Sequence, residues 1–358
     1  MKKQRVYLDK VAGVIFGQAI GDAIGAPYEF RTANEIWETK KLRRVKYRPV
    51  GTTWGPGEYT DDTAQALCIL DTFLALPKKK FSAVPYAKAF QDWLKNDGRG
   101  CGRLTYQTLS DPTFAIVPYI VAKRLWEDSD RKSAPNGAVM RTSVVGLLDP
   151  TSVKATDILA KQIARITHFD PRCVASATAV SVVINRMIRG DDNVDSLIKT
   201  ANNYAADTAI PNNTEKFGKT DLYKEAFPLD CNIPIEVKDL LLDEGLEEAK
   251  KAKSMKSTIG YTYKTLLAGF WALRSAEDEL KCRSRYEAFQ DILEDILFAG
   301  GDVDTNAAVA CSLLGGYFGL SGIPPHLVAG LKEKTQLMLR VDKLKDYYRS
   351  INKVIVVE

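Results

Sequence analysis

Residues 60–76 read Thr60-Asp61-Asp62-Thr63-Ala64-Gln65-Ala66-Leu67-Cys68-Ile69-Leu70-Asp71-Thr72-Phe73-Leu74-Ala75-Leu76. From Thr63 onward the apolar side chains fall three and four residues apart, the spacing that gathers them on one face of an α-helix. The same rhythm recurs over 82–94, 114–127, 151–166, 173–188 and 261–276, and again over 286–297, 306–320 and 337–351. Strand-like alternation is scarce, and Val354-Ile355-Val356-Val357 is the only tempting run. A succession of helices with few strands predicts an all-α fold, a compact orthogonal multi-helix bundle. No fixed-period repeat is visible, which argues against a solenoid.

The chain has 358 residues, 45% of them hydrophobic and 27% charged, enough to bury a core without metals or disulfides as staples. A polar stretch around 207–235, with Pro211, Asn212, Asn213, Pro228 and Pro234, is followed by more helical pattern of the same kind. It therefore reads as an insertion into one domain spanning 1–358, and 32–56 reads as a second long connection. The net charge of +5 is mild. Basic runs at 40–44, 78–80 and 250–253 lack interleaved aromatic residues, so a nucleic-acid partner is not expected. The cysteines Cys68, Cys101, Cys173, Cys231, Cys282 and Cys311 show no CxxC spacing and read as reduced thiols. Near the start, the apolar run Val11–Phe16 follows Asp9-Lys10 and is interrupted by Gln18 and Asp22, so neither a secretory signal nor a membrane span is read. The expectation is a cytoplasmic, monomeric protein.

Gly13, Gly17, Gly21 and Gly25 recur every fourth residue, so a helix there presents a bare backbone stripe suited to close packing. Pro27 ends that helix and leaves Glu29 between Tyr28 and Phe30. Two helix starts carry more side-chain oxygen than a cap needs. The first is Thr60-Asp61-Asp62-Thr63; the second is Gly300-Gly301-Asp302-Val303-Asp304-Thr305-Asn306, where paired glycines permit a tight turn. Capping and dipole compensation would account for one oxygen at each start, with Thr60 as the N-cap of the first. The surplus suits a hard cation such as Mg²⁺ or Mn²⁺, and two divalent ions would balance four converging aspartates and hold a bridging water. A magnesium-dependent prenyl-diphosphate enzyme would need DDxxD, and Asp61-Asp62 is followed by Thr63-Ala64-Gln65.

Here the residues resemble a known family. Gly21-Asp22-Ala23-Ile24-Gly25-Ala26-Pro27-Tyr28-Glu29-Phe30, Thr60-Asp61-Asp62-Thr63 and Gly300-Gly301-Asp302-Val303-Asp304-Thr305 are similar to the signature blocks of the ADP-ribosylglycohydrolases. Arg99-Gly100-Cys101-Gly102, Asn136-Gly137-Ala138-Val139-Met140-Arg141 and Thr167-His168-Phe169-Asp170-Pro171 match intermediate blocks in the family's order. The resemblance implies an all-α hydrolase with a binuclear Mg²⁺ or Mn²⁺ centre that releases ADP-ribose from an acceptor. It implies Thr60, Asp61, Asp62, Asp302, Asp304 and Thr305 as metal ligands, and Glu29 as a mobile acidic residue beside them. Glu29, Asp62 and Asp304 are then the candidates for a direct part in catalysis. Gly100, Gly102, Ser133, Asn136, Gly137 and His168 fall where the family holds the diphosphate and the adenosine-side ribose. His326, the other histidine, follows Pro324-Pro325 and reads as a structural loop residue.

The sequence departs from the pattern at Val303, where threonine is usual, at Pro135, where a glycine commonly precedes Asn136, and at Thr142-Ser143, where Ala-Pro is usual. None of these removes a candidate ligand; they bear on the substrate. The Asp302–Ala308 stretch and Gly-Ala-Pro-Tyr-Glu-Phe resemble the arginine-directed members more than the serine-directed ones. The expected partner is thus an ADP-ribosylated protein, or a small molecule containing ADP-ribose, with N-linked ADP-ribosyl-arginine preferred. The alternatives are a serine- or other O-linked hydrolase and a catalytically silent ADP-ribose-binding protein.

Overall fold

The computed structural model describes residues 3–38, 45–76, 81–209 and 259–358. The greater part of the polar insertion around 207–235, Cys231 and the three basic runs lie outside the described residues. The all-α expectation is met. In chain order the helices are α1 (Leu8–Gly25), α2 (Ala33–Glu38), α3 (Asp61–Ala75), α4 (Ala83–Asn96), α5 (Arg103–Leu109), α6 (Pro118–Asp128), α7 (Val153–Ala164), α8 (Pro171–Met187) and α9 (Val194–Ala209). After the undescribed stretch follow α10 (Thr262–Glu279), α11 (Arg285–Ala299), α12 (Val303–Phe318), α13 (Pro325–Gly330) and α14 (Lys334–Arg349).

The tempting C-terminal run does form a strand. Val354–Val357 pairs in parallel with Gln4–Tyr7, Val6 opposite Val356, which ties the two ends of the described chain together. Two expectations are corrected. The connection over 32–56 contains α2, and His326 is an exposed residue of α13 rather than of a loop. Pro325 explains the second, because its fixed φ and missing N–H suit the first helical position.

Helices α1, α8 and α12 are buried on nearly every face and form the centre, and small and apolar residues therefore dominate them on all sides, with most of their charged residues near the ends. Helix α4 is different: it buries Tyr86, Ala87 and Phe90, leaves Lys88, Asp92, Lys95 and Asn96 exposed, and half-buries the rest. The glycine stripe makes the central contact. A Cβ on Gly13 would come 2.1 Å from the Gly315 carbonyl oxygen, on Gly17 2.0 Å from that of Cys311, and on Gly21 2.1 Å from that of Ala307. On Gly25 it would lie 2.4 Å from Asp304 Cα. As the α1 numbers rise the α12 numbers fall, so the helices run antiparallel in backbone contact. The last turn of α1 is thereby laid against the first turn of α12.

Candidate active site

The acidic helix starts converge, and neither is capped in the ordinary way. Thr60 and Asp302 occupy the N-cap positions of α3 and α12, yet neither side chain accepts a capping hydrogen bond from its own helix. The donors at the start of α3 are met from outside. Asp22, fully buried near the end of α1, accepts from Thr60 N at 2.8 Å and Thr63 N at 3.0 Å. The Thr60 hydroxyl also donates to Asp22 Oδ1 at 2.7 Å, with Asp62 Oδ2 3.5 Å away. A carboxylate borrowed from α1 thus does the capping and leaves Asp61 and Asp62 free to face inward.

At the second start, Gly300 and Gly301 adopt φ of 78° and 81°, accessible to glycine at little cost. They pair antiparallel with Thr32 and Arg31, and Phe30 N donates to the Gly301 carbonyl at 2.8 Å. Phe30 itself takes a left-handed φ of 59° and is half exposed. This short clamp holds Glu29 beside the Asp302-Asp304 turn. Carboxylate oxygens of Glu29, Asp302 and Asp304 all lie within 4.8 Å of one another.

Glu29, Asp61, Asp62, Gly100, Gly102, Asn136, Gly137, His168, Asp302, Asp304 and Thr305 line one cleft of about 390 Å³. Thr60 stands behind it, buried against Asp22. Ser133 is not brought into the lining. Asp130 and Arg131 turn the chain with φ of 54° and 61°, and it reaches the cleft wall only at Pro135, which is bridged to Tyr261. Asn136 is in the lining, but its amide donates to Asp302 Oδ2 at 2.7 Å and to Thr265 Oγ1 at 3.0 Å. It orients an aspartate. Asp170 fixes the His168 loop: it caps α8 through Arg172 N and accepts from Trp126 Nε1 at 2.8 Å.

The electrostatics follow from crowding acids in a buried place. Burial raises the carboxyls of Asp61, Asp62 and Asp304 well above their ordinary range, and neighbouring acids raise them further. Glu29, partly exposed at the rim, is pushed up to about 8 by desolvation, then by Asp302 and Asp22. Asp302 is also raised by burial, against the hydrogen bond from Asn136. Such a cluster holds protons or holds cations. Its donors fit hard divalent ions: they are oxygens, the N-cap side chains of Thr60 and Asp302 are not engaged in capping, and Asp62 Oδ1 is buried with no hydrogen-bond partner.

Asp22, Gln65, Arg141 and Thr167 were given no role from the sequence. Asp22 did leave a signal, as the one charged residue in the largely apolar run 11–25. The others belong to one buried chain. Gln65 Nε2 donates to Asp61 Oδ2 at 3.1 Å, Arg141 Nη1 to Gln65 Oε1 at 2.5 Å, and Arg141 Nη2 to Thr167 Oγ1. Thr167 Oγ1 lies 2.8 Å from His168 Nδ1. Gln65 stands one helical turn after Asp61 and Thr167 beside His168, but Arg141 is far from both pairs in sequence, and nothing in its spacing announces that it joins them. Val303 proves to be a core residue with no exposed surface, so the departure there does not touch the cleft, whereas Pro135 lines it.

Comparison with known proteins bears on the chain as a whole. The family model described as ADP-ribosylglycohydrolase matches residues 3–353. An ADP-ribosylarginine hydrolase Tri1 of Serratia proteamaculans is 23% identical over 94% of this chain and 79% of that protein. An ADP-ribosylhydrolase ARH3 of Homo sapiens is 24% identical over 88% of this chain and 87% of that protein. A solved structure titled ADP-ribosylglycohydrolase-related protein complex shares the fold, with a TM-score of 0.62 at 22% identity, covering 95% of this chain and 98% of that one.

Proposed function

The chain belongs to the ADP-ribosylglycohydrolase family and is an enzyme of that kind, and on that premise we propose that it uses two divalent cations, Mg²⁺ or Mn²⁺, to release ADP-ribose from arginine side chains of proteins. One observation carries the reading: the two acidic helix starts, 240 residues apart by the difference between 62 and 302, turn Asp61, Asp62, Asp302, Asp304 and Thr305 to one cleft, and neither N-cap side chain is spent on capping its own helix. Thr60, Asp61, Asp62, Asp302, Asp304 and Thr305 would hold the cations, with Asp22 and Asn136 setting two of them in place. Cations bound there supply Lewis acidity toward the reacting ribose and balance the buried negative charge.

The remaining steps belong to the chain's own residues. The glycine turns at Gly100, Gly102 and Gly137 and the His168 edge form the wall that suits a diphosphate. Cleavage at the anomeric carbon passes through an oxocarbenium-like state, which the surrounding carboxylates stabilise. A departing guanidine is a strong base and requires a proton. We assign that proton to Glu29, at the rim and raised first by burial and then by its acidic neighbours. Its oxygens lie close to those of Asp302 and Asp304, so the same residue is within reach of a cation as well.

The arginine preference is supported by the Serratia relative, which is named for ADP-ribosylarginine, and by the Gly25–Phe30 and Asp302–Ala308 stretches. The test is a comparison of initial rates on arginine- and serine-linked ADP-ribosyl peptides of matched sequence, with Mg²⁺ and then Mn²⁺. Faster release from arginine is expected. Faster release from serine under both metals overturns the acceptor, and binding of ADP-ribose without release from any linkage would make the protein a silent binder.

A further inference from the structure

Arg141 is an unusual residue to find in the interior. Its side chain has no exposed surface, its guanidinium sits 4.3 Å over the Phe90 ring, and its Nε has no partner. Among the described residues no carboxylate pairs with it; its acceptors are Gln65 Oε1 and Thr167 Oγ1. A buried cation without a counter-ion is unfavourable, so a fold that retains one invites the question of what its hydrogen bonds impose. We propose that Arg141 is a positioning residue that sets the hydrogen-bond polarity of both cleft walls, and that through Thr167 it fixes His168 as the neutral imidazole whose Nε2–H is kept for an anionic oxygen of the ligand, the diphosphate of ADP-ribose on the reading above.

The polarity can be followed atom by atom. A guanidinium only donates. Gln65 Oε1 therefore accepts, which turns Gln65 Nε2 outward as the donor to Asp61 Oδ2 at 3.1 Å. On the other side Thr167 Oγ1 accepts from Arg141, and its own proton is left for the remaining contact, His168 Nδ1 at 2.8 Å. Nδ1 is then the acceptor, and the imidazole carries its proton on Nε2. The opposite tautomer would load both lone pairs of Thr167 and leave its hydroxyl proton unpaired in a buried site. An imidazolium is disfavoured too, because burial and the neighbouring Arg141 charge hold the His168 pKa well below its ordinary value. His168 is 1% exposed, and its Nε2 has no hydrogen-bond partner. That edge lies against Gly137 in the cleft wall, where a Cβ would come within 2.9 Å of it. Such a buried donor without an acceptor is poised for a ligand. One arginine thus orients an acceptor-side aspartate and a donor-side histidine at once.

The sequence contains two histidines, so whole protein labelled with [¹⁵N]histidine gives two imidazole spin systems, and His326→Gln assigns them. Long-range ¹H–¹⁵N spectra distinguish the tautomers. Wild-type His168 should be neutral and protonated on Nε2 across neutral pH, and added ADP-ribose should shift that Nε2–H. Thr167→Val should release the tautomer and weaken ADP-ribose binding about ten-fold or more, the loss expected for a hydrogen bond to a charged group. Thr167→Ser should restore both. Arg141→Lys should behave like Thr167→Val if it folds; the Thr167 pair decides the matter if it does not. A wild-type His168 protonated on Nδ1, or a Thr167→Val protein with unchanged tautomer and affinity, overturns the proposal. An Nε2–H unmoved by ADP-ribose overturns the assignment of the ligand. Hydrolysis is measured separately: normal turnover with the wrong tautomer condemns this inference alone, and the right tautomer with no release of ADP-ribose condemns only the hydrolytic reading.

Discussion

Asp22→Asn tests whether a residue outside the proposed metal shell builds it. In the wild type Oδ1 of Asp22 accepts from Thr60 N at 2.8 Å and from the Thr60 hydroxyl at 2.7 Å, and Oδ2 accepts from Thr63 N at 3.0 Å. An asparagine has one acceptor oxygen. Placed toward Thr60, it keeps those contacts and sets an NH₂ against the Thr63 N–H; flipped, it keeps Thr63 and loses Thr60. Either way a buried donor is orphaned, at a cost of about 1–3 kcal/mol. Burying a neutral amide in place of a carboxylate offsets part of that, so the net loss of stability should be about 1–2 kcal/mol, well short of unfolding. The larger effect belongs to the first turn of α3, which carries Asp61 and Asp62 and loses its external cap. Loss of such a supporting contact typically weakens metal binding or activity about 10- to 100-fold. The assay is a Mn²⁺ titration of ADP-ribosyl-arginine hydrolysis beside calorimetric metal binding, with a thermal melt to confirm folding. A well-folded Asp22→Asn protein with metal affinity and saturated rate within two-fold of wild type would show that the Thr60 turn needs no help from α1.

Chelation with EDTA should abolish hydrolysis, and Mg²⁺ or Mn²⁺ should restore it; full activity in metal-free enzyme would refute the two-cation reading. Metal-free protein should also lose stability as pH rises. Glu29 is raised to about 8 from 4.5, so its contribution is complete below the unfolded pKa and is lost as pH climbs through about 8. Melting curves at about pH 5 and about pH 8 should show the larger Mn²⁺-induced rise in Tm at the higher pH. If Asp61 and Asp304 serve one centre, Asn at either should remove most activity and the double variant little more; multiplying losses would separate them. Gly17→Ala should destabilise, although at an exposed helix site the same change gains about 1 kcal/mol. A Cβ there would meet the Cys311 carbonyl oxygen at 2.0 Å, and overpacking of this kind costs about 1–3 kcal/mol or more. A higher denaturation midpoint would contradict the backbone contact of α1 and α12.

Much of this protein is legible in the one-dimensional chain, because helix periodicity and local oxygen surplus are local properties. Residues 60–76 announce a helix and an excess of acceptors together, and Gly300–Asn306 does so again. Only the tertiary structure shows that Thr60 and Asp302 decline to cap their own helices, since capping depends on what stands opposite, and opposite Thr60 stands Asp22. Ser133 shares a neighbourhood in sequence with Asn136, yet left-handed turns at Asp130 and Arg131 keep it out of the cleft lining. The chain from Asp61 through Gln65, Arg141 and Thr167 to His168 joins residues up to 107 positions apart, counting from 61 to 168, and the two links that Arg141 makes have no signature in their spacing. What the sequence determined by itself was the set of helices and the chemistry each could carry. What packing decided was which oxygens meet, and the reason is physical: the bare stripe of Gly13, Gly17, Gly21 and Gly25 lets α1 and α12 touch backbone to backbone, and that contact places Asp22, Glu29, Asp302 and Asp304 in one site.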